Sequence, residues 1–181
     1  MSGLKELKNR IGSVKSTQKI TKAKQMVAAA KLRRAQEAAE ASKPYADRMA
    51  NVVANLTASM GDGSGGPKLL AGSGDDKVHL LVVMTAERGL CGGFNANTAK
   101  AARLKIEELK SDGKEVKIIT VGKKGREVLK HAYADMFIDH VDLSDAKDKF
   151  TPFAIGLGLD LTKRFEAGEF DVATLVFSEF K

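Results

Sequence analysis

Few side chains in this sequence are of a type and spacing that could carry out chemistry. Three histidines, His79, His131 and His140, and one cysteine, Cys91, are the candidates for ligation or nucleophilic attack. Metal sites draw their ligands at short, repeated spacings, and these four residues have no such relation to one another. A structural or surface role is expected for the imidazoles. Cys91 would serve as a nucleophile only if an imidazole approached it in space, and no spacing places one there. Asp139, Asp142, Asp145 and Asp148 recur every three residues but lack the glycine and terminal glutamate of a calcium loop, so a solvated acidic segment is expected. No catalytic constellation emerges, and neither a cofactor nor a metal is expected.

Two glycine-bearing turns remain. Arg88-Gly89-Leu90-Cys91-Gly92-Gly93-Phe94-Asn95 spaces its glycines neither as G-x-G-x-x-G nor as a Walker sequence, and Gly122-Lys123-Lys124-Gly125 fails the same test. Tight turns and close packing of helix on strand account for both. A nucleotide-binding α/β enzyme stays open as an alternative.

The elements that must position these turns are legible from the apolar pattern. Val78 to Met84 is a short apolar strand with little alternation, as expected where both faces are covered. A helix follows from about Asn95 to Ser111, with Ala99, Ala102, Ile106 and Leu109 inward. Val116 to Val121 is a second strand, leading into a short helix through Ala132. Residues 135–148 are ambiguous, with a third strand at Met136 to Ile138 and then the acidic loop. A helix from about Phe150 to Ala167 leads to a last, inner strand at Val172 to Phe177. This order predicts an α/β body, residues 77–181, with a Rossmann-like parallel sheet and helices on both faces. Residues 61–76, rich in Gly, Ser and Asp, read as a flexible linker.

Charge is divided unevenly. The net charge is +7, yet residues 1–60 hold twelve Lys and Arg against four Asp and Glu, while the remainder holds eighteen against nineteen. The surplus therefore belongs to an N-terminal arm, which calls for an anionic partner of its own. The single cysteine cannot form an internal disulfide, and a reducing compartment fits best. Neither a membrane span nor a secretory signal is expected.

The arm has a heptad pattern. Apolar or small residues recur without a slip from Leu4, Leu7, Ile11 and Val14, through a polar centre at Gln18, Thr21, Gln25 and Ala28, to Met49, Val53, Leu56 and Met60. Pro44 should kink the helix or end it near Lys43. Leu4 to Met60 would span roughly 85 Å if straight, against a diameter of about 35 Å for the body. An apolar seam of that length needs a second helix from outside the described pattern to cover it. Opposite the seam, Ile20, Ala23, Met26, Val27 and Ala30 form another apolar stripe; Lys8, Arg10, Lys15, Lys22, Lys24 and Lys31 take the flanking e and g positions, and Lys19, Arg33 and Arg34 outer ones. Ten basic residues between Lys5 and Arg34 face only Glu6 in opposition. Nucleic acid is one possible anionic partner. The charge overlies the seam instead of preceding it, however, and no aromatic residue precedes Tyr45 to stack on bases.

Arg10-Ile11, Ser13 to Ala23 and Met26 to Gln36 resemble the N-terminal signature of the gamma subunit of F-type ATP synthases. Glu87 to Asn95 is similar to a second motif of that family, and Val121 to Gly125 to a weaker third. Lys24 departs from the pattern, the family commonly having Met there. The resemblance implies a non-catalytic, central-stalk rotor subunit. Its N-terminal helix would pair with a long C-terminal helix inside a ring of alternating alpha and beta subunits, with its body beside epsilon and the membrane c-ring. It implies coupling of proton flow to ATP synthesis by rotation, and no nucleic-acid or small-molecule partner. It also implies a peripheral position on the cytoplasmic side of a bacterial inner membrane. Family members run further, so the chain is expected to be a fragment lacking the C-terminal helix. Lys19, Ile20, Lys22, Ala23, Met26, Val27, Arg33 and Arg34 are the implied contacts within the ring, and Arg88 and Cys91 those at its lower edge.

Overall fold

One helix, α1, takes the whole of Ser2–Met60. The computed structural model describes residues 2–60, 68–144 and 150–179, and these fall into two units, Met1–Ser59 and Met60–Lys181. The first unit is α1. Its Ala, Lys, Glu, Gln and Leu content gives it a good intrinsic helix propensity. Pro44 lies inside it, and the helix does not end near Lys43. The proline removes one backbone donor, but on an exposed helix the freed carbonyl can turn to water. From Gly3 to Ser59 every residue is exposed except Gln36, which is half-buried.

The second unit begins, within the described residues, with a single helical turn, α2 (Lys68–Ala71). The expected linker is therefore partly helical, and its residues 61–67 lie outside the described ones. Then come β1 (Val78–Met84), α3 (Phe94–Ser111), β2 (Glu115–Val121), α4 (Lys123–Tyr133), a 3₁₀ turn (Ala134–Met136), β3 (Phe137–Val141), α5 (Phe150–Glu166) and β4 (Val172–Val176). The four strands pair in the order β3-β2-β1-β4, all parallel. Val82, for example, stands between Ile119 of β2 and Leu175 of β4.

Alternation along β1 divides the core into two layers. Leu81 and Val83 join Ile118 against Ala99, Ala102 and Ile106 of α3 and Leu129 of α4. Leu80 and Val82 join Ile119 and Val121 on the other face, against Phe153, Leu157, Leu161 and Phe165 of α5 and Phe170 beyond it. Each fully buried Leu or Ile stabilises the fold by about 1.5–3 kcal/mol relative to leaving it in water. The parallel sheet with helices on both faces thus forms as its sequence pattern implies.

Two strands differ from expectation. The third is Phe137–Val141, not Met136 to Ile138, because Ala134–Met136 is taken up by the 3₁₀ turn. The last strand, expected to be inner, is at the edge of the sheet among the described residues. The crossover from β3 to β4 is tied by one guanidinium. Arg164 Nη2 lies 2.6 Å from Asp139, Nε 2.8 Å from Asp160 and Nη1 3.2 Å from Glu169. These partners, Asp160 foremost, raise the Arg164 pKa further above its ordinary value.

Candidate functional site

The candidate contact residues fall in both units. On α1, Ile20, Met26 and Val27 are 57%, 63% and 58% exposed, and Lys19, Lys22, Ala23, Arg33 and Arg34 are exposed beside them. A residue advances about 100° around an α-helix, which places all eight within an arc of roughly 160°. The heptad residues Val14, Gln18, Thr21 and Gln25 lie on the opposite side by the same geometry. The helix therefore presents two separate stripes, a seam and a basic, apolar face. Arg33 Nε is held 2.9 Å from Glu37, an exposed i, i+4 pair that contributes only a few tenths of a kcal/mol. Lys19, Lys22 and Arg34 have no ion-pair partner among the described residues.

Arg88 and Cys91 share the turn between β1 and α3, at the carboxyl end of the sheet. The two are close enough for the Cys91 thiol to point back at the Arg88 carbonyl, Sγ to O being 3.9 Å. The other neighbour of Sγ is the Asn95 amide, at 3.0 Å. Imidazole is absent from its hydrogen-bond partners among the described residues. A groove of about 350 Å³ runs beside the turn, lined by Cys91, Lys100, Arg103, Lys124 and Val128 among others.

The two glycine-bearing turns are stitched to each other. Gly122 adopts φ +87°, and a side chain there would overlap the Thr85 carbonyl, so the β2–α4 turn can approach β1 only as glycine. The buried Thr85 hydroxyl accepts from the Gly125 N–H at 2.7 Å, and the Lys124 N–H donates to the Ala86 carbonyl at 3.2 Å. Lys123 adds a further tie. Its N–H donates to Glu87 Oε2 at 3.1 Å, and its Nζ lies 2.9 Å from Asp142. Hydrogen bonds from the Ser144 side chain and Lys123 hold the Asp142 carboxyl well below its ordinary range. Positive φ at Gly92 and Gly122, and the close approach of Gly122 and Gly125 to Thr85, account for those three glycines.

The acidic segment is a correction. Asp139 is paired with Arg164 and Asp142 with Lys123, so neither is merely solvated; Asp145 and Asp148 lie outside the described residues. Two of the three histidines serve the fold. His79 is buried with Nε2 2.7 Å from Asp76, His140 Nδ1 is 2.9 Å from the Thr120 hydroxyl, and His131 is exposed. Sequence reasoning missed Leu90, a fully exposed non-glycine residue at φ +61°, and Asn95, whose side chain spans the turn. An Asn placed just after a glycine-rich turn, at a helix start, was the available signal for the second.

A family model described as ATP synthase matches residues 3–181. Among curated relatives, ATP synthase gamma chains of Hyphomonas neptunium, Ruegeria sp. (strain TM1040) and Paracoccus denitrificans are 65%, 62% and 61% identical to this chain. Each match covers 100% of this chain and 62% of the relative, so the chain spans less than two thirds of their length.

Proposed function

The chain belongs to the ATP synthase gamma-chain family, and on that premise we propose that it forms part of the central-stalk rotor of an F-type ATP synthase. The observation that carries this reading is α1: fifty-nine helical residues with an apolar seam and a second, basic face, nearly all of them exposed. Such a helix is stable only when neighbours cover it, because burial of an amphipathic face supplies most helical stability in proteins.

In this reading a further helix covers the seam, and the alpha and beta subunits of a catalytic ring surround the opposite face. Proton flow turns the membrane c-ring, and the stalk turns with it. Its asymmetric surface then makes different contacts with each beta subunit in turn. A contact of unequal strength with the open and closed states shifts a nucleotide site between them, with no need for the rotor to bind nucleotide. Ile20, Ala23, Met26 and Val27 supply a smooth surface that slides past the ring, while Lys19, Lys22, Arg33 and Arg34 meet acidic loops. Arg88 and Cys91 meet the lower edge of the ring, and epsilon and the c-ring lie against the body. The chain itself performs no bond chemistry. No helix of the described residues is long and apolar enough to cross a membrane, and the complex attaches the chain peripherally to the cytoplasmic face of the inner membrane.

The test is made in the assembled enzyme. Lys22→Glu, Arg33→Glu and Arg34→Glu together are expected to leave ATP turnover running while protons moved per ATP fall sharply. An unchanged coupling ratio contradicts the assignment, as does failure of the protein to copurify with an ATPase at one copy per catalytic ring.

A further inference from the structure

The turn that carries Arg88 and Cys91 is short of regular structure, yet it begins and ends on one side chain. Asn95 Oδ1 accepts from the Ala86 N–H at 2.9 Å. Its amide nitrogen donates to the Arg88 carbonyl at 3.4 Å and to Cys91 Sγ at 3.0 Å. One residue in the first turn of α3 therefore ties together the end of β1, the middle of the loop and the thiol. We infer that Asn95 is the positioning residue that fixes the pose of Arg88 and Cys91, a role that rests on the reading of these two residues as partner contacts.

Three features make this more than a local hydrogen bond. First, the base of the turn is rigid independently of Asn95, through Thr85, Gly122 and the Lys124 N–H to the Ala86 carbonyl. What Asn95 fixes is the part that projects. Secondly, that part is strained. Leu90 sits at φ +61° with its side chain fully in solvent, a conformation that costs a non-glycine residue on the order of 1 kcal/mol and persists only where its surroundings impose it. Asn95 holds residues on both sides of Leu90, at Arg88 and Cys91. Thirdly, no other residue type does all of this. Aspartate keeps the acceptor for Ala86 but presents an oxygen to the Arg88 carbonyl, and glutamine is longer by a methylene.

The experiment compares the full chain with Asn95→Ala, Asn95→Asp and, as a control two residues along the same helix, Asn97→Ala. Amide hydrogen exchange is followed at Ala86, the one N–H of the turn from which Asn95 accepts, and the alkylation rate of the Cys91 thiol by iodoacetamide reports the projecting part. Loss of a hydrogen bond worth about 1 kcal/mol corresponds to a change of about five- to tenfold in either rate. Asn95→Ala is expected to change both rates, while Asn97→Ala changes neither. Asn95→Asp is expected to leave Ala86 protected and to change only the Cys91 alkylation rate, and it keeps the test alive should the alanine variant fold poorly. An unchanged Cys91 alkylation rate in Asn95→Asp overturns the inference, and so does an equal change in the Asn97 control. In the assembled enzyme Asn95→Asp should lower protons moved per ATP without lowering the melting temperature of the chain. If alkylation changes as expected but coupling stays the same, the positioning role stands and the contact role of Arg88 and Cys91 falls.

Discussion

Leu81 and Leu7 are the same residue type in opposite situations. Leu81 of β1 is 0% exposed, enclosed by α3, α4 and the neighbouring strands, while Leu7 of α1 is 59% exposed. The contrast holds for the units around them. In the α/β unit the apolar residues face two internal layers, and its charged residues answer one another, as Arg164 does for Asp139, Asp160 and Glu169. On α1 the apolar seam is exposed, and of the ten basic residues between Lys5 and Arg34 only Arg33 has an ion-pair partner among the described residues, Glu37. One unit is folded by its own side chains, and the other carries side chains suited to surfaces it does not possess.

Substitutions that treat the units alike should separate them most. Leu81→Ala is expected to destabilise the α/β unit by roughly 3–5 kcal/mol, whereas Leu7→Ala should shift the free chain by less than about 0.5 kcal/mol, both read from denaturant midpoints. Equal effects would erase the distinction. The glycines sharpen it. Gly122→Ala forces a side chain into the Thr85 carbonyl at positive φ and should cost roughly 3 kcal/mol. Gly12 on α1 has open space around it, so Gly12→Ala should raise helicity and stabilise the helix by about 0.5–1 kcal/mol.

Smaller effects follow from charge. Arg164→Met leaves three partly exposed carboxylates without their common partner and should lower the stability of the α/β unit by about 1–2 kcal/mol, measured by urea unfolding. A pH titration of the same unit gives a gentler signal. Backbone N–H groups of Val78 and Lys77 hold the Asp171 carboxyl below its ordinary value near 3.8. Lys114 and then His79 do the same for Asp76, and Ser144 and Lys123 for Asp142. Because each folded value lies below the unfolded one, the stabilisation is fully present above about pH 4 and is lost as pH falls through the folded values. A melting temperature that rises on acidification below pH 4 would contradict this ordering.

The sheet was legible because buried parallel strands leave continuous apolar runs, as in Val78–Met84, and the helix between them places Ala99, Ala102 and Ile106 at helical spacing. β3 was misplaced because its polar residues Asp139 and His140 are satisfied by Arg164 and Thr120, partners far along the chain that no local pattern displays. The same reason hid the Arg164 cluster, whose acids are spread from residue 139 to 169. Of the two outcomes expected at Pro44, an end near Lys43 does not occur, since an exposed helix can leave one carbonyl to water and continue. In the β1–α3 turn the glycines attracted the eye. The work of Asn95 depends on three-dimensional reach, and only its position at a helix start hinted at it.

The central claim is that α1 is ordered by surfaces outside its own unit. Amide hydrogen exchange along α1 and along β1, measured on the free chain and on the assembled enzyme, tests it most directly. β1 should be strongly protected in both, while α1 should exchange freely in the free chain and slow by at least about a hundredfold on assembly. Protection of α1 that already matches β1 in the free chain, and does not change on assembly, would contradict the account.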